Sequence, residues 1–229
     1  MNFDQFEVLS FDCYGTLIDW ERGIESALRP IFVRHGISIE TERILEIYAG
    51  LESSAEAGEY QDYKTILRKV LEGFGSALGF QPEPSELKQF SQSVKDWPPF
   101  PDSAPALQAL KKRFKLAVIS NIDDNLFAHS ASRLKTPFDW VITAKQARSY
   151  KPSLNNFQLA FKTIGLPGEK ILHVAQSLFH DIAPARSLGL ATVWVNRRHG
   201  KPGSGATPPS QAAPDLEVPD LQTLARMAV

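Results

Sequence analysis

The first residue of the chain that could do chemistry is Asp12, which follows the short apolar run 6–11. A run of this kind predicts a buried strand, and Gly15 predicts a turn directly after it. An aspartate between strand and turn presents its carboxylate to a cleft, where the hydroxyl of Thr16 could donate a hydrogen bond to it. The same aspartate could instead only cap the turn, so Asp12 by itself does not identify a site.

Two further polar motifs stand near predicted strand and helix ends. Ser120 and Asn121 follow the apolar run 114–120, and their side chains could hold an anion such as a substrate carboxylate or simply form a strand–helix turn. Lys151 precedes Pro152, and this pair either only starts a helix or places an ammonium group beside Asp12. Such an ammonium group would favour the ionised carboxylate and neutralise charge in a transition state.

The last polar motif follows another apolar run, residues 171–175. Asp181 could be the N-cap of the next helix, could position or deprotonate a water molecule, or could do both. We interpret His180 as a polar residue of the site wall. His173, inside the apolar run, is interpreted as a core residue.

Helix and strand patterns alternate after residue 98 and predict a parallel sheet covered by helices on both faces. The predicted strands are 114–120, 140–143, 171–175 and 191–195, and the predicted helices are about 103–113, 124–134, 153–164 and 182–188. The tail 216–228 predicts either a short strand or a last helix. The expected fold is therefore α/β, with a doubly wound parallel sheet.

Residues 20–97 contain apolar residues at helical spacing and no strand-like run, which predicts an all-helical insertion. The predicted domains are a core of residues 1–19 and 98–229 and a cap of residues 20–97. Pro30 predicts a kink or a late start in the first cap helix. Ligands of open parallel sheets bind beyond the carboxyl ends of the strands, so the polar motifs should converge beneath the cap.

Composition excludes several classes of function. A formal net charge of -1 gives no electrostatic reason to expect binding to nucleic acid or to an anionic membrane. Cys13 is the single cysteine, so no intramolecular disulfide can form. The first residues lack the pattern of a signal peptide, and no apolar stretch approaches the ~20 residues that span a bilayer. We therefore expect a cytoplasmic protein.

In combination, these motifs resemble the haloacid-dehalogenase-like superfamily. The resemblance rests on Asp12-x-Tyr-Gly-Thr-Leu, Ser120-Asn121, Lys151-Pro152 and the segment 173–182, and it covers about residues 1–20 and 98–198. It implies a Rossmann-like core with a cap and an aspartyl-enzyme intermediate. It also implies that Asp12 is the nucleophile, that Ser120 binds the substrate anion and that Lys151 is the positive partner of the nucleophile.

Two departures from the phosphatase pattern indicate a branch of the superfamily. Its phosphatases carry a second aspartate two residues after the nucleophile and a magnesium-ligating acid in a Gly-Asp-Ser triplet. This chain has Tyr14 at the first position and Gln176 at the second. It is thus similar to the metal-independent (S)-2-haloacid dehalogenases, which implies no metal and no other cofactor. There the nucleophile displaces a leaving group at C2 of a small carboxylic acid, and water hydrolyses the resulting ester.

The resemblance assigns a role to each site residue. The catalytic residues are Asp12, Thr16, Lys151 and Asp181, and the substrate-binding residues are Tyr14, Ser120, Asn121 and Ser177. Phe157 replaces a tyrosine of the true dehalogenases, and their halide-binding cap arginine has no clear counterpart. Candidates for it are Arg29, Arg34 and Arg43, although solvated helix charges explain these three residues as well. The leaving group is therefore expected to be either halide or the nitrogen of a strained ring, as in azetidine-2-carboxylate.

Two other functions stay open from the sequence. One is a magnesium-dependent phosphatase with relaxed motifs, and the other is a non-catalytic binding protein on the same core. The expected partner is a small carboxylic acid, and a homodimer is expected from the frequency of two-fold symmetric assemblies.

Overall fold

A six-stranded parallel sheet forms the centre of the computed structural model, which describes all 229 residues. The strands are β1 Val8–Phe11, β2 Lys115–Ser120, β3 Trp140–Thr143, β4 Ile171–Ala175, β5 Ala191–Val195 and β6 Leu216–Val218. Their order is β3-β2-β1-β4-β5-β6. The direction of strand addition reverses between β1 and β4, and ligands bind at such a reversal in open α/β sheets. The predicted α/β fold is confirmed.

Ten α-helices surround the sheet. They are α1 Trp20–Arg34, α2 Thr41–Glu56, α3 Tyr63–Leu78, α4 Pro84–Ser91, α5 Ser103–Leu110, α6 Asp124–Leu134, α7 Ala144–Ala147, α8 Asn155–Ile164, α9 Ala183–Ser187 and α10 Leu221–Ala228. The first four helices lie in the insertion, which contains no strand. None of the helices is long and apolar enough to cross a membrane.

Several predicted elements differ in detail from those observed. Helix α1 already begins at Trp20 and continues through Pro30, so the late start predicted from that proline is wrong. The helix predicted near 182–188 is preceded by a π-helical turn, Leu178–Ile182, whose N-cap is Ser177. Asp181 therefore lies inside the turn and is not the N-cap. The tail contains both the strand and the helix that the sequence left as alternatives.

The strands are buried because their side chains pack on both faces of the sheet. All four residues of β1 are buried. Leu9 and Phe11 face a cluster of 47 buried residues that includes Ile24 and Phe32 of the insertion, whereas Val8 faces a separate cluster of 10 residues. This split follows from the alternation of side chains along a strand. The insertion thus shares an apolar core with one face of the sheet.

The turn after β1 directs the chain into the insertion. Gly15 has a φ of +97°, and a Cβ there would lie 2.9 Å from the Gln176 side chain, so only glycine fits without strain. Ile18 then pairs with Tyr14 and also with Pro99, at the other end of the insertion. Both ends of the insertion are therefore held beside the carboxyl end of β1.

Polar contacts on two sides hold the insertion against the core. On one side, Asp123 accepts hydrogen bonds from the Tyr60 hydroxyl at 2.5 Å and from the Tyr63 backbone N–H at 2.8 Å. On the other, Arg198 forms ion pairs with Glu21 at 2.7 Å and Glu42 at 2.6 Å. The helical insertion consequently covers the strand ends.

Candidate active site

Asp12 lies immediately after β1 with both carboxylate oxygens paired and only 5% of its surface exposed. Its Oδ2 accepts a hydrogen bond from Thr16 Oγ1 at 2.7 Å, and its Oδ1 accepts one from Lys151 Nζ at 2.9 Å. Thr16 Oγ1 in turn accepts a hydrogen bond from the backbone N–H of Gln176 at 2.9 Å. The carboxylate is therefore fixed in one orientation.

Lys151 is buried and uses all three of its ammonium protons. Besides Asp12, its Nζ donates to Asp181 Oδ1 at 2.6 Å and to the Ile119 carbonyl at 2.8 Å. Asn121 fixes the lysine backbone, because it accepts from the Lys151 N–H at 2.6 Å and donates to the Lys151 carbonyl at 3.0 Å. Burial opposes the charge of Lys151, but Asp12 and Asp181 outweigh burial and raise its pKa. The lysine is charged.

Asp181 has one paired and one free oxygen. Its Oδ1 accepts from Lys151 and from His173 Nε2 at 2.9 Å, whereas its buried Oδ2 has no partner. His173 Nδ1 lies 2.9 Å from Ser10 Oγ, because the β1–β4 register places Ser10 beside His173. Burial raises the pKa of Asp181, but Lys151 and His173 outweigh burial and lower it. The ionised carboxylate can thus offer Oδ2 to a water molecule.

The pKa of Asp12 shifts in the opposite direction. Burial raises this pKa, Lys151 opposes the increase, and the negative charge of Asp181 adds to it. The net result is a raised pKa. Lys151 is therefore the group that favours the ionised form of Asp12.

The residues do not fit a divalent cation between the two carboxylates. Magnesium requires several oxygen ligands, preferably carboxylates. Here the Lys151 ammonium group lies between Asp12 and Asp181 and bonds to the Oδ1 atom of each. Gln176, at the position of the phosphatase metal ligand, offers only a neutral amide.

The four predicted substrate-binding residues all line one cavity with Asp12, but they differ in what their side chains can still bind. Ser120 is fully buried, and its hydroxyl has no partner. The Tyr14 hydroxyl is 2.8 Å from Ser130 Oγ. The Asn121 amide holds the Lys151 backbone, and Ser177 Oγ accepts from the His180 N–H at 2.9 Å as a cap. Only Ser120 offers a free hydroxyl to a ligand.

Two acidic residues of α2, which the sequence analysis did not identify, form the roof of this cavity. Glu52 Oε1 accepts hydrogen bonds from Tyr48 at 2.8 Å and from Tyr63 at 2.5 Å, and burial raises its pKa to about 7. Glu56 Oε2 accepts from Asn121 Nδ2 at 3.2 Å, while its enclosed Oε1 has no partner. Burial, followed by the nearby Glu52, raises the pKa of Glu56 well above its ordinary value.

The three cap arginines considered as halide ligands lie elsewhere. Arg29 pairs with Glu25, Arg34 with Glu86, and Arg43 with Glu46. None of the three lines the cavity. The assignment of a halide-binding role to any of them is therefore wrong, and the alternative role as helix charges holds.

Three further residues that the sequence singled out lie at the cavity or close to Asp181: His180, His173 and Phe157. His180 lines the cavity, as interpreted from the sequence, and burial lowers its pKa to about 4. His173 is buried, as expected, but it also bonds to Asp181. Phe157 packs edge-on against the His173 ring, with 5.1 Å between the ring centroids, and does not line the cavity.

Comparison with known proteins agrees with the fold and with the motifs. The sequence model of the haloacid dehalogenase-like hydrolases matches residues 6–189. The (S)-2-haloacid dehalogenase of Xanthobacter autotrophicus is 30% identical over 190 residues, which cover 82% of this chain and 74% of that protein.

Solved structures extend the similarity of fold to nearly the whole chain. The L-2-haloacid dehalogenase of Xanthobacter autotrophicus with chloropropionic acid covalently bound has a TM-score of 0.80 at 23% identity, covering 97% of this chain and 98% of its own. A putative HAD-hydrolase from Bacillus subtilis bound to magnesium has a TM-score of 0.79 at 20% identity, covering 98% and 99%. The protein is an enzyme that belongs to the haloacid dehalogenase-like hydrolase family.

Proposed function

We propose that this enzyme is a metal-independent hydrolase that displaces a leaving group at C2 of a small carboxylic acid through an ester of Asp12. The leaving group is either halide or the nitrogen of a strained ring. One observation carries the proposal: the buried Lys151 ammonium group bonds to both Asp12 and Asp181, so a side chain neutralises the charge beside the proposed nucleophile. The name of the Xanthobacter relative, an (S)-2-haloacid dehalogenase, supports the same reaction class.

In the first step, an Asp12 oxygen attacks C2 and the leaving group departs from the opposite side. Thr16 and Lys151 hold the carboxylate in place for this attack. The free hydroxyl of Ser120 donates a hydrogen bond to the substrate carboxylate. Since displacement at carbon is in line, the leaving group departs on the side of C2 away from Asp12.

In the second step, water attacks the carbonyl carbon of the Asp12 ester. The free Oδ2 of Asp181 holds this water, and His173 and Lys151 fix the carboxylate through Oδ1. The bond between the Asp12 carbonyl carbon and the product oxygen breaks. A 2-hydroxy acid leaves, and the carboxylate of Asp12 is restored.

The direct test is turnover of each enantiomer of 2-chloropropionate and of azetidine-2-carboxylate in the presence of a chelator. We expect product from at least one compound, no effect of the chelator, and a loss on the order of 10⁴-fold in Asp12→Asn. Activity that vanishes with the chelator would exclude the metal-free reaction.

No observation favours the two alternatives left open by the sequence. A phosphatase of this superfamily would need its second aspartate, whose position Tyr14 occupies, and its acidic metal ligand, whose position the neutral Gln176 occupies. A binding protein would not need the complete hydrogen-bonded network around Asp12. A cytoplasmic location and a homodimeric state remain predictions from the sequence.

A further inference from the structure

The cavity around Asp12 is closed to solvent in this structure. Asp12, Ser120, Lys151 and Asp181 are each at most 5% exposed, so a ligand reaches them only if part of the cavity wall moves. Most of that wall consists of strand ends and cap helices. One lining residue, Thr207, belongs instead to an irregular segment between β5 and β6, residues 199–214, which we call the strap.

The strap is weakly attached to the protein. It contains no helix or strand, and beyond its first turn only two hydrogen bonds join it to other segments. The Ala206 N–H donates to Glu21 Oε1 at 3.1 Å, and the Pro202 carbonyl accepts from Arg198 Nη2 at 2.7 Å. Segments with so few contacts open at a low free-energy cost. The strap is therefore a part of the cavity wall that opens readily.

The cap is fastened more firmly beside the same cavity. Tyr60 and Tyr63 bond to Asp123, and the Tyr150 hydroxyl donates to a cap carbonyl at 2.7 Å. The cap also shares the 47-residue apolar cluster with the sheet, and separation of cap from core would expose part of that cluster to water. Opening of the strap uncovers little of it, because Ala206 is the only strap residue in the cluster.

Thr207 connects the cavity to the outer surface. It also lines two grooves, one on each side of the strap, and no other cavity residue lines either of them. The first, which we call the basic groove, contains Arg198, His199 and Lys201 and no acidic residue. The second lies along α2 and contains three glutamates and one arginine. A carboxylate is attracted to the basic groove and repelled by the acidic one.

The free charge of the basic groove comes chiefly from Lys201. Arg198 is already paired with two glutamates, whereas Lys201 is exposed and forms no ion pair. The inner end of the groove contains Gln176, whose N–H bonds to Thr16, the hydrogen-bond donor to Asp12. The groove therefore leads from a free cation on the surface to a residue two hydrogen bonds away from the proposed nucleophile.

We infer that a small carboxylate enters the cavity from the basic groove, past Thr207, when the strap opens, and that Lys201 attracts it to this entrance. The inference rests on the proposed function only for the charge of the ligand. Gly205 is suited to closing the strap, because a Cβ at this position would lie 1.8 Å from Glu21 Oε1. Glycine thus lets the strap lie tightly against α1 once the ligand is inside.

The experiment measures how fast propionate, an unreactive carboxylate, binds and dissociates. Stopped-flow tryptophan fluorescence detects its binding, because Trp20 lines the cavity. Thr207→Phe enlarges the side chain between groove and cavity, so we expect association and dissociation each to slow at least about tenfold, with Kd within about threefold of wild type. The control is Ala213→Phe, at an exposed strap position outside the grooves and the cavity, which should leave both rates within about twofold.

A second variant, Lys201→Glu, tests attraction to the entrance without changing the cavity. Association should slow about threefold at low ionic strength and less than about 1.5-fold in about 0.5 M salt, which screens exposed charges. Lys112→Glu changes the net charge equally at an exposed position outside both grooves, and its association rate should stay within about 1.5-fold of wild type. Equal slowing in the two variants would overturn the role of Lys201.

The route fails if Thr207→Phe unfolds at the wild-type temperature but exchanges propionate at the wild-type rates. It also fails if Kd changes while association does not, because residue 207 would then contact the ligand without limiting its entry. Should Thr207→Phe not fold, Lys201→Glu decides, and association equal to wild type at low ionic strength would overturn the inference.

Binding of propionate requires no turnover, which separates this inference from the proposed function. Entry by this route in a protein that converts no 2-substituted acid would contradict the proposed function alone. Turnover of such an acid, with propionate rates insensitive to both substitutions, would overturn the inference alone. Absence of both binding and turnover would overturn both.

Discussion

The floor and the roof of the cavity differ in how their polar groups are paired. The floor, formed by Asp12, Thr16, Lys151 and Asp181, is a closed hydrogen-bonded network in which only Asp181 Oδ2 is free. The roof, formed by Glu52 and Glu56, has an unpaired oxygen, and both of its pKa values are raised. The comparison indicates that the floor is already ordered around Asp12, whereas Glu56 of the roof keeps an oxygen that can still bind a ligand.

The largest effect after loss of the nucleophile should come from Lys151→Met, which breaks the floor. Two buried carboxylates would lose their cation, so we expect kcat to decrease about 10²- to 10³-fold and the free energy of unfolding to decrease by about 3–5 kcal/mol. Because Lys151 lowers the pKa of Asp12, the acidic limb of the kcat/KM profile should move to higher pH. Steady-state kinetics across pH and thermal unfolding measure both effects.

The exposed Lys145→Met is the control for that variant and should match wild type. An unchanged acidic limb in Lys151→Met would mean that the lysine does not act on the nucleophile.

A smaller effect is expected from His173→Gln. This change affects only Asp181, the carboxylate proposed to hold the hydrolytic water. Asp181 would lose its second donor and its fixed orientation, so ester hydrolysis should slow about 10- to 100-fold while ester formation changes little. Quenched-flow mass spectrometry should then show the Asp12 ester accumulating, which His129→Gln, at an exposed position, should not cause. Equal slowing of both steps would contradict the assignment of His173 to hydrolysis.

Ser120→Ala tests the proposed contact between the free Ser120 hydroxyl and the substrate carboxylate. Removal of one hydrogen bond to a charged carboxylate should raise KM about tenfold with little change in kcat. Initial-rate measurements with Ser132→Ala, at an exposed position, as the control would detect the difference. A KM equal to that of wild type would show that the free hydroxyl does not contact the substrate.

The smallest effect on turnover should come from a substitution in the roof. Such a substitution should instead change how the stability of the protein depends on pH. Burial raises the pKa of Glu52 from 4.5 to about 7, so the folded protein keeps a proton that the unfolded chain releases between these values. Stability from this group is therefore complete below pH 4.5 and decreases as pH rises towards 7. Glu52→Gln cannot titrate, so its free energy of unfolding should decline less than that of wild type between pH 5 and 8, by about 2–3 kcal/mol. Parallel declines in denaturant unfolding would contradict the raised pKa.

The floor was predictable from sequence and the roof was not. Asp12, Ser120 and Asp181 follow apolar runs, and a parallel sheet brings the carboxyl ends of its strands to one edge. The roof depends on how a helical insertion is oriented, which its periodicity does not determine. A signal was nevertheless present, because Glu52 and Glu56 continue the spacing of the buried Tyr48 along α2, and acids on an apolar face are unusual.

His173 shows a second limit of the sequence. Its position in an apolar run predicts burial, and burial is observed. The contacts to Ser10 and Asp181 depend on the β1–β4 register and on the π-helical turn Leu178–Ile182. Neither the register nor the turn follows from hydrophobic periodicity.

The most direct test of the account is a single turnover in oxygen-18 water with enzyme in excess over a compound that it converts. Attack of water on an Asp12 ester predicts one labelled oxygen in the peptide that contains Asp12 and an unlabelled hydroxyl in the product. Label in the product hydroxyl, with none in Asp12, would show that water attacks the substrate directly and would contradict the central role of this carboxylate.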